Sequence, residues 1–238
     1  MFTYKGIRSD AMHLQIENNL RFTAPRRNVD LISVPGRDGE LLLDQGRFEP
    51  VNQQIPCRMV LPTGQNVEQA ASQLHNWLST DVGYHNFTWS GDPDFVYKAM
   101  VNEGFNTQRV MEKYGRTVLK FRFHPIKYLA SSLIERPVAN NSVINNPYAV
   151  EAKPRLRIVG GGREIRINVG GQEVVLTDIP ETGCIIDTET QMITNAAGTA
   201  PLFRNMRSAF PVLRSGDNRI TFPSNVQVHV ISRLGALL

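Results

Sequence analysis

From residue 151 onward the chain consists of short runs of alternating apolar and polar residues, each stopped by glycine, proline or asparagine. Period-two alternation places every second side chain on one face of a strand, and stops at this rhythm leave no length for helices. Residues 155–159 alternate and stop at Gly160-Gly161-Gly162; residues 164–169 alternate and stop at Gly170-Gly171. Further strands are expected at 174–176, 184–187, 191–194, 218–222 and 226–230, continuing a meander. About 90 residues of this kind suit a small β-sandwich. The triple glycine is not a phosphate loop, because a strand follows it rather than a helix N-terminus. It reads as a hairpin turn.

The first part of the chain is also strand-rich, with runs at 12–17, 29–34, 41–43, 54–61, 84–89, 95–101 and 117–123. It holds one clear helix. Val67, Ala70, Ala71, Leu74, Trp77 and Leu78 recur at helical spacing, Asn66 stands where a cap belongs, and Gln69 follows three residues later. Its apolar stripe makes it a lid on a sheet, with Trp77 in the core. Between the two parts, residues 135–150 gather Pro137, Asn140, Asn141, Asn145, Asn146 and Pro147 with little apolar content. The expected division is therefore a β domain with one helix over 1–134, a linker over 135–150 and a β-sandwich over 151–238.

Composition removes several classes of function. With 41% hydrophobic and 20% charged residues, the chain is not wholesale disordered. It has no apolar run long enough to span a membrane, and no basic segment followed by an apolar stretch at the N-terminus. Membrane insertion and secretion are not expected, which places its synthesis in a cytoplasm. Cys57 and Cys184 read as separate buried thiols. The net charge of +4 is split evenly, +2 on each side of residue 133, and Arg26-Arg27 is the only basic doublet. Interspersed charge of this kind reads as a solvated surface rather than a nucleic-acid site. His13, His75, His85, His124 and His229 show no metal-ligand spacing, and no nucleophile elbow appears. Asp187 and Glu189 fall at a turn, where aspartate caps backbone groups. No cofactor, metal or catalytic residue is expected.

The stretch 34–42 packs two turn signals between strand-like runs. Pro35 presets φ for the second position of a turn, Gly36 supplies the positive φ that a type II turn needs next, and Asp38-Gly39 repeats the signal. Arg37 lies between them. Alone, Pro35, Gly36, Arg37, Asp38 and Gly39 read first as a generic hairpin loop.

Together with other pieces, this loop resembles the distal tail proteins (Dit) of bacteriophages with long non-contractile tails. The likeness extends over about 230 residues. In the first part it rests on the loop, the helix ending in Trp77-Leu78, Tyr97-Lys98-Ala99, and Phe121-Arg122-Phe123-His124-Pro125. In the second it rests on Asn146-Pro147, the stretches 153–158, 165–168 and 185–189, and the closing stretch 211–218. The C-terminal stretch 232–238 lacks the aromatic-bearing strand with which such proteins often end.

The resemblance implies a mainly β chain: a ring-forming N-terminal domain similar to tail-tube subunits, then a galectin-like sandwich. It implies a homo-hexameric ring in the virion that joins the tail tube to tail-tip or baseplate hub proteins. DNA would pass through the lumen without specific binding, and such a lumen should avoid strong positive charge. Residues 35–39 are the expected partner loop. Two other readings remain: a host-wall carbohydrate-binding module, against which the absence of tryptophan from the second part counts, and, more distantly, a hydrolase.

Overall fold

The computed structural model describes all residues except 18, 19, 102, 106, 112 and 113, and the side chains of 109 and 111. The chain forms two compact units, Met1–Lys127 with Leu237–Leu238, and Tyr128–Ala236. Among the described residues it is mainly β with one α-helix, as the alternation and the single helical stripe predict.

The first unit is built on an antiparallel sheet. Its strands lie in the order Ile7–Arg8, Phe2–Tyr4, His85–Trp89, Asp92–Met100, Tyr114–Phe123, Val51–Val60 and Leu14–Ile16. Thr107–Met111 pairs with part of Tyr114–Phe123. The two ten-residue strands at the centre pair along their whole length, from Val51↔Phe123 to Val60↔Tyr114. Alternation sends Ile55, Cys57, Met59, Leu119, Phe121 and Phe123 to one face, where all are buried.

That face is closed by the helix Val67–Ser79. The Asn66 side chain accepts the Gln69 N–H at 2.8 Å, satisfying a donor that the first helical turn cannot. Val67, Ala70, Leu74, Trp77 and Leu78 are buried. Between helix and sheet the core is aromatic: Phe2 stacks on Phe87 at 5.2 Å and on Trp77 at 6.1 Å, while Phe121 meets Tyr4 edge-on at 5.2 Å. These offset and edge-to-face arrangements suit the ring quadrupoles.

The second unit has two antiparallel sheets. One orders Arg136–Val138, Gln227–Ile231, Arg155–Val159, Cys184–Asp187 and Met192–Asn195; the other orders Ser142–Asn146, Gly216–Thr221, Gly162–Val169 and Gln172–Ile179. Leu156, Ile158, Ile186 and Val228 from the first share a core with Ile165, Ile167, Val174, Leu176 and Ile220 from the second. Facing apolar layers of this kind make a sandwich.

Three features of this unit differ from the sequence reading. Gly160-Gly161-Gly162 is not a hairpin turn, because the strands on either side of it belong to different sheets. The segment carries the chain across the sandwich, and its glycines permit the close approach: a Cβ at Gly160 would stand 2.6 Å from the Asn225 carbonyl oxygen, and one at Gly161 2.5 Å from that of Ile179. The two-residue hairpin is at Gly170-Gly171, where both φ values are positive. Second, the strand order is not a simple meander, since early and late strands interleave in both sheets. Third, residues 135–150, expected as a linker, supply two strands, Arg136–Val138 and Ser142–Asn146. Asparagines there act as internal ties: Asn146 is buried and its amide donates to the Val150 and Leu213 carbonyls at 3.0 and 3.1 Å. A turn-like composition hid a pair of edge strands.

Candidate partner-binding hairpin

The loop singled out in the sequence is the tip of a long hairpin. Strands Arg27–Ser33 and Glu40–Phe48 pair with each other and form a separate two-stranded sheet. Val34, Pro35, Gly36, Arg37, Asp38 and Gly39 connect them. The Arg37 N–H donates to the Val34 carbonyl at 3.2 Å and Gly36 has φ +78°, which is the expected type II turn. Gly39 follows with φ +76° and re-aims the chain into the return strand.

Every residue from 30 to 47 is exposed. Side chains at opposed positions share a face, so Leu31 and Leu42 lie together on one side, and Ile32 with Leu41 on the other, where Leu43 joins them opposite Asp30. Leu31 is 57% exposed, Leu42 60% and Leu43 50%. Both faces therefore carry bare leucine or isoleucine. A hairpin that packed on its own domain would hide at least one face. Contiguous exposed apolar residues on a protruding element mark an interaction surface.

Polar contacts set the shape of this arm. Arg27 donates to Asp44 through Nε at 2.9 Å and Nη2 at 2.5 Å, and its guanidinium lies 5.3 Å from the Phe48 ring centroid. Hydrogen bonding from Arg27 holds the Asp44 carboxyl below its ordinary pKa. The Gln45 amide reaches Asp30 on the other strand. All of these are side chains in water, so they fix geometry more than they add stability.

The sequence reading found the tip and placed strands in both stems, at 29–34 and 41–43, but not their exposure. The signal was present in Leu41-Leu42-Leu43: three consecutive leucines in a strand must point to both faces, and a strand on the edge of one core has only one face to bury.

Among the described residues no three His, Cys, Asp or Glu side chains gather as metal ligands would. Asp187 does cap its turn, its Oδ1 accepting the Glu189 and Thr190 N–H groups at 3.1 and 3.4 Å, and both its oxygens pair with Arg233. Cys57 and Cys184 are buried free thiols, and burial pushes each up to about 12. Among described residues no helix is long and apolar enough to cross a membrane.

No protein-family model and no curated protein matches the chain in sequence. Among solved structures its fold matches the crystal structure of SPP1 Dit (gp 19.1), described as a paradigm of the hub adsorption apparatus in phages that infect Gram-positive bacteria. The TM-score is 0.76, and the match covers 96% of each chain at 12% sequence identity. The fold is that of a distal tail protein. At this identity the likeness is one of architecture, and the resemblance carried by the sequence motifs is met at that level.

Proposed function

We propose that this chain is a structural distal tail protein of a phage, a non-catalytic adaptor in the virion that joins the tail tube to the tip or baseplate. The observation that carries the reading is the match to SPP1 Dit over nearly the whole of both chains, both units included. A likeness confined to one unit would fit many β proteins.

In this reading six copies close into a ring around a channel for DNA, and the hairpin arm is the contact between neighbours. A ring built from identical copies joins unlike surfaces, so one copy must present a projecting feature that fits a different patch on the next. The hairpin has the right character for this, with apolar residues on both faces and Pro35, Gly36, Arg37, Asp38 and Gly39 holding the tip rigid. Tube and hub proteins would cap the two rims. Host-bacterial synthesis in the cytoplasm follows from the same reading.

The test is electron microscopy of the protein assembled with its tail neighbours. A ring of six copies with the arm seated on the adjacent copy is expected. Density for this chain outside any ring, or a ring of other symmetry, contradicts the proposal.

A further inference from the structure

The face of the first unit's sheet opposite the helix carries charges that the sequence scatters. Lys98, Arg122, Lys120, Arg116 and Arg58 alternate with the buried positions of their strands and so share that face. Arg116 stands directly opposite Arg58 on the neighbouring strand, and Arg122 pairs in register with Met100, two residues from Lys98. The cations thus form an oblique band across three adjacent strands. From Arg116 to Arg122 it extends about 20 Å along one strand.

Acidic residues only partly offset the band. Arg116 bonds Glu17 at 3.2 Å and Lys120 bonds Glu103 at 3.0 Å. Arg58 donates to the Gln15 amide oxygen at 2.9 Å and Lys98 to that of Asn86 at 2.7 Å, contacts that orient a cation without neutralising it. Among the described residues no carboxylate lies within 4 Å of Arg58, Lys98 or Arg122. Asp94 shares the face of Lys98 but stands four residues away, about 13 Å along the strand.

From this geometry we infer that the open sheet face is a docking surface for the phosphate backbone of a nucleic-acid duplex, read without regard to base sequence. Beside the cations, in register with Arg122, Lys120, Arg58 and Arg116, stand Asn52, Gln54, Gln15 and Gln108, amides of the kind that bond phosphate and sugar oxygens. A protein interface is centred on apolar and aromatic anchors; here the middle of the band is one small apolar step, Val118 opposite Pro56, flanked on its strand by Arg116 and Lys120. A duplex presents about 12 phosphates in 20 Å of its axis, more than enough to meet the band. The inference stands on a single copy and does not rest on the ring.

The test is fluorescence anisotropy of a labelled duplex of about 20 base pairs titrated with the purified protein between about 50 and 200 mM salt. Binding indifferent to base sequence is expected, with log K falling against log salt at a slope of about −3 or steeper. The variant Arg58→Gln/Lys120→Gln/Arg122→Gln should bind with a slope shallower by about 2 to 3. Arg163→Gln/Arg204→Gln, at exposed arginines of the second unit, should leave the slope unchanged. Melting of both variants like the parent shows that the fold is kept. Absence of binding at the lowest salt, an unaltered slope in the triple variant, or equally tight binding of polyglutamate each overturns the proposal, the last in favour of an acidic protein partner.

Discussion

Arg233 holds Asp187 with both ends of its guanidinium, Nη1 to Oδ1 at 2.6 Å and Nη2 to Oδ2 at 2.8 Å, across 46 residues of chain. Arg233 does so from the left-handed region, at φ +49°. Burial alone would raise the Asp187 carboxyl; the hydrogen bonds and charge of Arg233 outweigh it and leave the group below its ordinary pKa. A depressed carboxylate stabilises the fold above its unfolded pKa, and this contribution disappears as pH falls through the lower, folded value. Asp187→Asn is expected to cost about 2 kcal/mol at pH 7. Urea midpoints of variant and parent should converge at acidic pH, and a gap that stays constant down to full protonation contradicts the assignment.

Trp77 joins the helix to the N-terminal strand by packing and by its indole N–H, which donates to the Tyr4 carbonyl at 3.2 Å. Trp77→Ala should destabilise the first unit by about 3–5 kcal/mol, whereas Trp77→Phe, which keeps a ring but loses the donor, should cost less. Native Trp77 should also resist acrylamide quenching, an observation best made in a Trp89→Phe background.

At the arm's tip, a Cβ at Gly36 or Gly39 meets nothing within 4 Å, so valine there is opposed by backbone strain alone. Gly36→Val and Gly39→Val should each cost about 1 kcal/mol locally. The arm is a separate two-stranded sheet, so this loss should appear as faster amide exchange in residues 27–48 and only weakly in global melting. Unchanged exchange in both variants would mean the turn is built otherwise.

Charges placed on the arm separate folding from assembly. Leu31→Asp/Leu42→Asp alters one exposed face, so the melting of a single copy should stay within about 0.5 kcal/mol of the parent. Association with neighbouring copies in the presence of the tail partners should be lost. A variant that still assembles at parental concentration removes the arm from the interface.

Both cysteines should be silent in the native protein. With each thiol pushed up to about 12 by burial, almost no thiolate exists at pH 8, and the aromatic disulfide reagent DTNB should react with neither until denaturant is added.

What was legible in the sequence follows from how local each signal is. The helix could be read residue by residue because Asn66, the stripe from Val67 to Leu78 and Trp77 all act within one element. The strands at residues 155–159 and 184–187 were readable to their ends for the same reason. Which strands pair is not local. Gly160-Gly161-Gly162 looks like a hairpin turn and is a crossing between sheets, because the atoms that require glycine there belong to Ile179 and Asn225. Asn146 looks like a turn residue and is a buried tie, because its partners are the carbonyls of Val150 and Leu213. The basic band escaped for a related reason: Arg58 and Arg116 are 58 positions apart in the chain and opposite each other in the sheet. The arm's tip was visible in its turn residues, while its significance depends on an exposure that no local pattern encodes.

The arm also sets a timetable. Its two bare faces and two unpaired edges are as available to a wrong chain as to the right one, with the charges of Arg27, Asp30, Glu40, Asp44 and Arg47 as the discouragement along the stems. The hazard is greatest between synthesis and docking, and it grows with the concentration of idle copies. On the proposed assembly, a cell making this protein well ahead of its neighbours would accumulate sticky monomers. Making it in step with them keeps the arm's lifetime in water short.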